Sequence, residues 1–189
     1  DEARAGRWVS GTFGWWWRYE DGSYPTSTQL RIDGAIYRFN ARGYMVTGWV
    51  YEDGQWYYYG ASGGQAAGWV RVHGTWYYLD PLTGAMASGW TKVQGTWYYL
   101  SSSGAMRTGW VRDGSAWYYL TSSGALATGW QRVGSSWYYL SSDGGAMVTG
   151  WLRDGDAWYY LTSSGAMATG SRWIDGTRYA FDDEGRMMP

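Results

Sequence analysis

Residues 108–127 read TGWVRDGSAWYYLTSSGALA, and this stretch decides the fold. Trp110-Val111-Arg112 makes a short extended run, Asp113-Gly114-Ser115 a turn, and Trp117-Tyr118-Tyr119-Leu120 a second run of β-forming side chains. Together they spell a β-hairpin. Ser122-Ser123-Gly124-Ala125 carries the chain onward, and Thr128-Gly129-Trp130 begins the same pattern again.

On either side the unit recurs every 20 or 21 residues. Taking the landmark tryptophan as position zero, Trp49, Trp69, Trp90, Trp110, Trp130 and Trp151 are followed at position seven by Trp56, Trp76, Trp97, Trp117, Trp137 and Trp158. Position nine holds Tyr58, Tyr78, Tyr99, Tyr119, Tyr139 and Tyr160. The two longer units take their extra residue in Asp80-Pro81-Leu82-Thr83-Gly84 and Ser142-Asp143-Gly144-Gly145, so the core spacing is under geometric constraint while the loops are not. A lone hairpin is marginal in water, and each must bury a face against its neighbours. The expected fold is therefore all-β, a solenoid of stacked β-hairpin repeats of 20–21 residues. Residues 1–189 read as a single repeat module, with divergent N-terminal units over 1–48, regular repeats over 49–170 and a C-terminal cap unit over 171–189.

Composition agrees. Trp 17, Tyr 19 and Gly 30 stand against Phe 3, Pro 3 and Cys 0 in 189 residues, so flat rings must supply most of the buried area and glycine the turns. Without cysteine there is neither a disulfide framework nor a thiolate metal site. A net charge of -1 with both signs interspersed gives no field for a nucleic-acid backbone. No run approaches the roughly 18 apolar residues of a membrane span, so no membrane insertion is expected. The start Asp1-Glu2-Ala3-Arg4 is neither a methionine nor a signal-peptide core, which suggests a processed protein or an excised domain. A catalytic or adhesive domain is expected outside this chain.

Alternate residues of a strand point to opposite faces, so positions seven and nine share one face and positions eight and ten the other. The divergent units keep large groups at eight and ten, Tyr37 with Phe39 and Tyr179 with Phe181, but carry Ile36 with Arg38 and Arg178 with Ala180 at seven and nine. In the first unit Trp8, Trp15 and Trp17 keep the zero, seven, nine spacing, although Arg18 stands at its position ten. Two readings fit: the seven and nine face is a binding face that folding does not need, or end units lose those rings because no neighbour covers them.

Rings around a groove can cage a weakly hydrated cation or stack on sugars. At about 0.5–2 kcal/mol per ring, three rings give a dissociation constant on the order of millimolar, which repetition along one polymer raises by about a hundredfold or more in avidity.

The sequence from GW through WYYL to GAMxTGW, as in Met106-Arg107-Thr108-Gly109-Trp110, resembles the choline-binding repeats of Gram-positive surface proteins and phage lysins, closely over residues 49–170. Residues 15–25 resemble a lengthened variant of that repeat. The resemblance implies a left-handed hairpin superhelix and a secreted module at the cell surface or cell wall, holding choline or phosphocholine of teichoic acid, or another cell-wall polymer, without a cofactor. It implies cages made by the two tryptophans of one repeat and the second tyrosine of the next. These are Trp49, Trp56 and Tyr78; Trp69, Trp76 and Tyr99; Trp90, Trp97 and Tyr119; Trp110, Trp117 and Tyr139; and Trp130, Trp137 and Tyr160. Trp151 with Trp158 would face Ala180 and lack a third wall. Linking-loop Met86, Met106 and Met147 join the cages, whereas Gln65 and Leu126 stand at the other two such positions. Related repeats bind glucans, so a carbohydrate-binding array stays open beside the choline reading, as does a structural stalk without a ligand.

Arg71, Lys92, Arg112, Arg132 and Arg153 follow two positions after their landmark tryptophans. This stripe reads either as a solvated edge partly neutralised by Asp113 and Asp154 or as a contact for phosphate. Catalysis is not expected: no repeat carries a central carboxylate pair, Asp182-Asp183-Glu184 reads as solvated, and the one histidine, His73, sits in a turn beside Gly74.

Overall fold

The computed structural model describes residues 1–189 and contains strands but no helix. Nine two-stranded antiparallel hairpins follow one another in chain order. Hairpins 1 to 4 are Gly6–Gly11 with Gly14–Tyr19, Thr28–Ile32 with Ala35–Phe39, Gly48–Glu52 with Gln55–Tyr59, and Gly68–Val72 with Thr75–Leu79. Hairpins 5 to 9 are Gly89–Val93 with Thr96–Leu100, Gly109–Asp113 with Ala116–Leu120, Gly129–Val133 with Ser136–Leu140, Gly150–Asp154 with Ala157–Leu161, and Gly170–Ile174 with Thr177–Phe181. The chain clusters into two compact units, residues 1–89 with 100–106, and residues 90–99 with 107–189.

Two-residue turns close the regular hairpins, and their sequences sort by backbone angle. Asp53-Gly54 and His73-Gly74 have positive φ at both residues, the signature of a type I′ turn. In hairpins 6 to 8 the order is reversed, with Gly114, Gly134 and Gly155 alone at positive φ before Ser115, Ser135 and Asp156, as a type II′ turn requires. Asp113, like position three of every regular hairpin, belongs to its strand and not to the turn, opposite Ala116.

The register of hairpin 6 gives each side chain a face. Trp110 lies opposite Tyr119 and Arg112 opposite Trp117 on one face; Val111 lies opposite Tyr118, and Leu120 opposite Gly109, on the other. Position ten is the buried column: Phe39, Tyr59, Leu79 and Leu100 in the first unit and Leu120, Leu140, Leu161 and Phe181 in the second are at most 2% exposed. Each such side chain contributes about 1.5–3 kcal/mol by leaving water.

Linkers tie consecutive hairpins together through the main chain. After hairpin 7, Ser141 N donates to Ala146 O and Val148 N to Tyr139 O within the same repeat, while Met147 N crosses to Trp117 O of hairpin 6 at 2.7 Å. The longer linkers absorb their extra residue in the turn, where Gly84 and Gly145 donate to residues four back instead of three, and leave the strand register unchanged. Successive hairpins within each unit thus stack as the repeat predicts.

Candidate functional site

A stack sets the Trp-bearing face of one hairpin against the opposite face of the next. The tyrosine that meets a Trp pair from the following hairpin therefore comes from position eight. Trp110 and Trp117 stand nearly perpendicular, 88° with ring centroids 6.5 Å apart, and Tyr138 closes the third side at 4.9 Å from Trp110. Met147, Ser163 and Ser164 complete a cavity of about 280 Å³. An equivalent cavity of about 340 Å³ is lined by Trp90, Trp97, Tyr118, Leu126 and Gly144.

The same ring contact recurs between Trp49 and Tyr77 at 4.8 Å, Trp130 and Tyr159 at 4.8 Å, and Trp151 and Tyr179 at 4.8 Å. Tyr78, Tyr119, Tyr139 and Tyr160, nominated from the sequence as third walls, instead lie directly across their own hairpins from Trp69, Trp110, Trp130 and Trp151, with centroids 5.1–5.2 Å apart. Tyr99 makes the same cross-hairpin contact with Trp90 at 5.0 Å. They pack beside each landmark indole on its own face; the ring that reaches it from the next hairpin belongs to their neighbours in sequence.

Two further corrections follow from this geometry. Trp151 and Trp158 do not lack a third wall: Tyr179 supplies it, Ala180 lies on the far face, and Met187 N donates to Trp158 O at 2.8 Å. The linking-loop residues are also displaced by one unit from the sequence assignment. Met86 belongs with Trp56, Met106 with Trp76, Leu126 with Trp97, Met147 with Trp117 and Met167 with Trp137, as their main-chain bonds show. Gln65 instead donates to Ile36 O.

A set not nominated from the sequence stands at the N-terminal end, where Tyr37 lies 4.8 Å from Trp8 and Met45 N donates to Trp15 O. Arg18 at position ten of hairpin 1 has a plain cause: it faces away from hairpin 2, on the side no other hairpin of this chain covers. Between hairpins 2 and 3 the cage is replaced by polar pairs. Gln29 Nε2 donates to the Tyr59 hydroxyl at 2.7 Å, and Arg38 pairs with Glu52 at 2.6 Å. Burial pushes the Tyr59 phenol up, and donation from Gln29 partly offsets that.

These ends separate the two explanations for missing rings. Ser171, Arg178 and Ala180 lie on a face of hairpin 9 that no hairpin of the chain covers. Ile36 and Arg38, by contrast, lie under hairpin 3, where stacking proceeds without the Trp pair.

The basic stripe lies across from position seven. The Arg71 guanidinium is 5.9 Å from the Trp76 ring and Lys92 Nζ 5.7 Å from that of Trp97. Asp113 and Asp154 do not neutralise the stripe; they accept hydrogen bonds from the indoles of Trp90 and Trp130, each at 2.9 Å.

A choline-binding repeat model matches residues 26–67, 53–88, 87–128 and 127–171. The chain is similar to choline binding protein F from Streptococcus pneumoniae, solved with a tetrasaccharide-pentapeptide peptidoglycan analogue, at 37% identity and TM-score 0.80, covering 93% of this chain and 61% of that one. It is similar to CbpJ from S. pneumoniae TIGR4 at 28% identity and TM-score 0.78, covering 97% and 94%. The modular autolysin LytC of S. pneumoniae matches at 33% identity and TM-score 0.71, with 97% of this chain spanning 42% of that one. No curated protein sequence matches the chain.

Proposed function

From the premise that this chain belongs to the choline-binding repeat family, we propose that it is a non-catalytic module holding a secreted protein to choline or phosphocholine groups of cell-wall teichoic acid. The observation that carries this reading is the cage of Trp110, Trp117, Tyr138 and Met147. Its two indoles stand at right angles instead of forming one flat platform. Perpendicular π faces enclose a small, roughly spherical cation from several sides, whereas a sugar ring asks for one extended face. A trimethylammonium group donates no hydrogen bond, so it loses nothing in a cage without buried acceptors. The cations opposite position seven stand beside the cages and suit the phosphate of phosphocholine better than a neutral glucan.

Because the chain spans 61% of choline binding protein F and 42% of LytC, an attached adhesive or lytic domain is part of the same proposal. Titrating tryptophan emission with choline, phosphocholine, glucan oligosaccharides and purified cell wall tests the reading. Choline at millimolar concentration shifts or quenches the emission and glucans leave it unchanged. The reverse pattern would make this a glucan-binding array, and no response to any of the four would leave a stalk.

A further inference from the structure

We propose that Asp113 and Asp154 are positioning residues that divide the cages into two affinity classes, raising the cation affinity of the Trp90 and Trp130 cages over that of the others. The inference rests on the reading of the array as a set of choline sites.

Position three of each hairpin reaches toward the landmark residue of the hairpin before it. Three such positions are acidic, and each meets a donor on that hairpin: Asp113 accepts from Trp90 Nε1 and Asp154 from Trp130 Nε1, while Glu52 pairs with Arg38, which lies across its hairpin from Gln29 at the landmark position. The equivalent residues behind Trp49, Trp110 and Trp151 are Val72, Val133 and Ile174, which offer no acceptor. Hairpins 6 and 8 are also built to place their acids this way. Position three precedes the two-residue turn in every regular hairpin, so Asp113 and Asp154 lie in the strand, on the face opposite Arg112 and Arg153. That alternation is why no ion pair forms between sequence neighbours of opposite charge.

A carboxylate on an indole N–H acts twice on a cation held over the same ring. A charge-assisted hydrogen bond shifts electron density into the indole and deepens the negative potential of its face, and the fixed negative charge adds a direct attraction. Both aspartates are exposed, so solvent and salt screen the direct part and the gain is modest. The Trp90 cage is also the one whose loop position, Leu126, carries no thioether.

The test is a site-resolved titration of the whole chain, followed through the indole ¹⁵N–¹H signals of Trp90, Trp110 and Trp130. Two probes are used: choline, and 3,3-dimethyl-1-butanol, its neutral carbon isostere. Asp113→Asn keeps an acceptor for the indole and removes the charge. It is expected to raise the choline dissociation constant at Trp90 by about threefold to tenfold while leaving that for the isostere, and the Trp110 site, unchanged. Asp154→Asn acts likewise at Trp130, and Val133→Asp strengthens choline binding at Trp110. Equal weakening of both probes would show a merely structural role and overturn the proposal, as would no change for either. If the parent chain's indoles ignore choline altogether, the choline reading itself fails and takes this inference with it.

Discussion

The ring of Trp110 meets that of Tyr138 from the next hairpin edge-on, with centroids 4.9 Å apart and planes at 69°. Tyr139, one residue further, turns to the other face of its strand pair and packs against Trp130 at 5.2 Å. Adjacent tyrosines therefore serve adjacent sites. Tyr138→Ala is expected to abolish choline binding at the Trp110 cage while sparing the Trp130 cage, and Tyr139→Ala to loosen Trp130 while sparing Trp110. Indole signals titrated with choline distinguish the two. An effect of Tyr139→Ala confined to the Trp110 cage would restore the assignment made from sequence.

How legible this was depended on which rule each feature obeyed. Hairpin positions follow from local chemistry that Trp110 to Leu120 alone carry, and the tolerance of linkers to an extra residue from residues 80–84 and 142–145. The turn expected at Asp113-Gly114-Ser115 is one residue too long, since Asp113 belongs to its strand. The face pattern was also readable, since alternation places Tyr118 with Leu120 and apart from Trp117. What local pattern does not state is that stacking pairs unlike faces. Applying that rule selects Tyr118 over Tyr119, Tyr179 over Ala180, and Met167 as a cage neighbour. The indole bonds of Asp113 and Asp154 were illegible, because their partners lie one hairpin earlier, at no fixed sequence motif.

Exposure predicts a clean separation of binding from folding within one strand. Trp117 is 41% exposed and Leu120 fully buried. Trp117→Ala is expected to remove one choline site with little change in the melting temperature. Leu120→Ala should cost about 2–5 kcal/mol, as cavity-forming leucine truncations do. Thermal melts of both variants, with choline stoichiometry for the first, check this. Comparable destabilisation by the two would mean that the Trp face is part of the fold's core.

Gly165 backs the methionine of the Trp110 cage. Its φ is +83°, and a Cβ there would meet Met147 Sδ at a clashing distance. Gly165→Ala is expected to destabilise the chain by about 1 kcal/mol or more through the left-handed backbone alone. It should also displace Met147 and weaken choline at Trp110. Gly155 has φ +59° but nothing within 4 Å of such a Cβ, so Gly155→Ala carries the backbone cost without the ligand effect. Denaturant melts and site-resolved titration of the pair separate strain from cage damage.

Tyr59 is the one position-ten phenol. Its folded pKa is raised by burial, so the neutral form is favoured in the native state. For an acid with a raised folded pKa, that stabilisation is complete below the unfolded value of about 10 and is lost as pH rises through the folded value. Tyr59→Phe is expected to cost about 1 kcal/mol near neutrality, because Gln29 loses its acceptor. It should also make stability fall less steeply above about pH 10. Urea melts at pH 8 and 10.5 check both signs, and an unchanged alkaline slope would mean that Tyr59 does not couple to unfolding.

Repetition itself makes the last prediction. Trp97, Trp117, Trp137 and Trp158 each supply an exposed wall to a different cage of the second unit. Changing them to alanine one after another leaves the position-ten column intact. For monomeric choline, each step should remove one site and leave the affinity of the remaining sites nearly constant. Purified cell wall should respond differently. Contacts held at fixed spacing engage one polymer at a high effective concentration, so losing each one divides the overall affinity by a factor instead of subtracting a share. Equilibrium dialysis for choline and sedimentation with cell wall give the two curves. Proportional loss on both would mean that the cages act independently on the wall, and repetition would then serve capacity, not avidity.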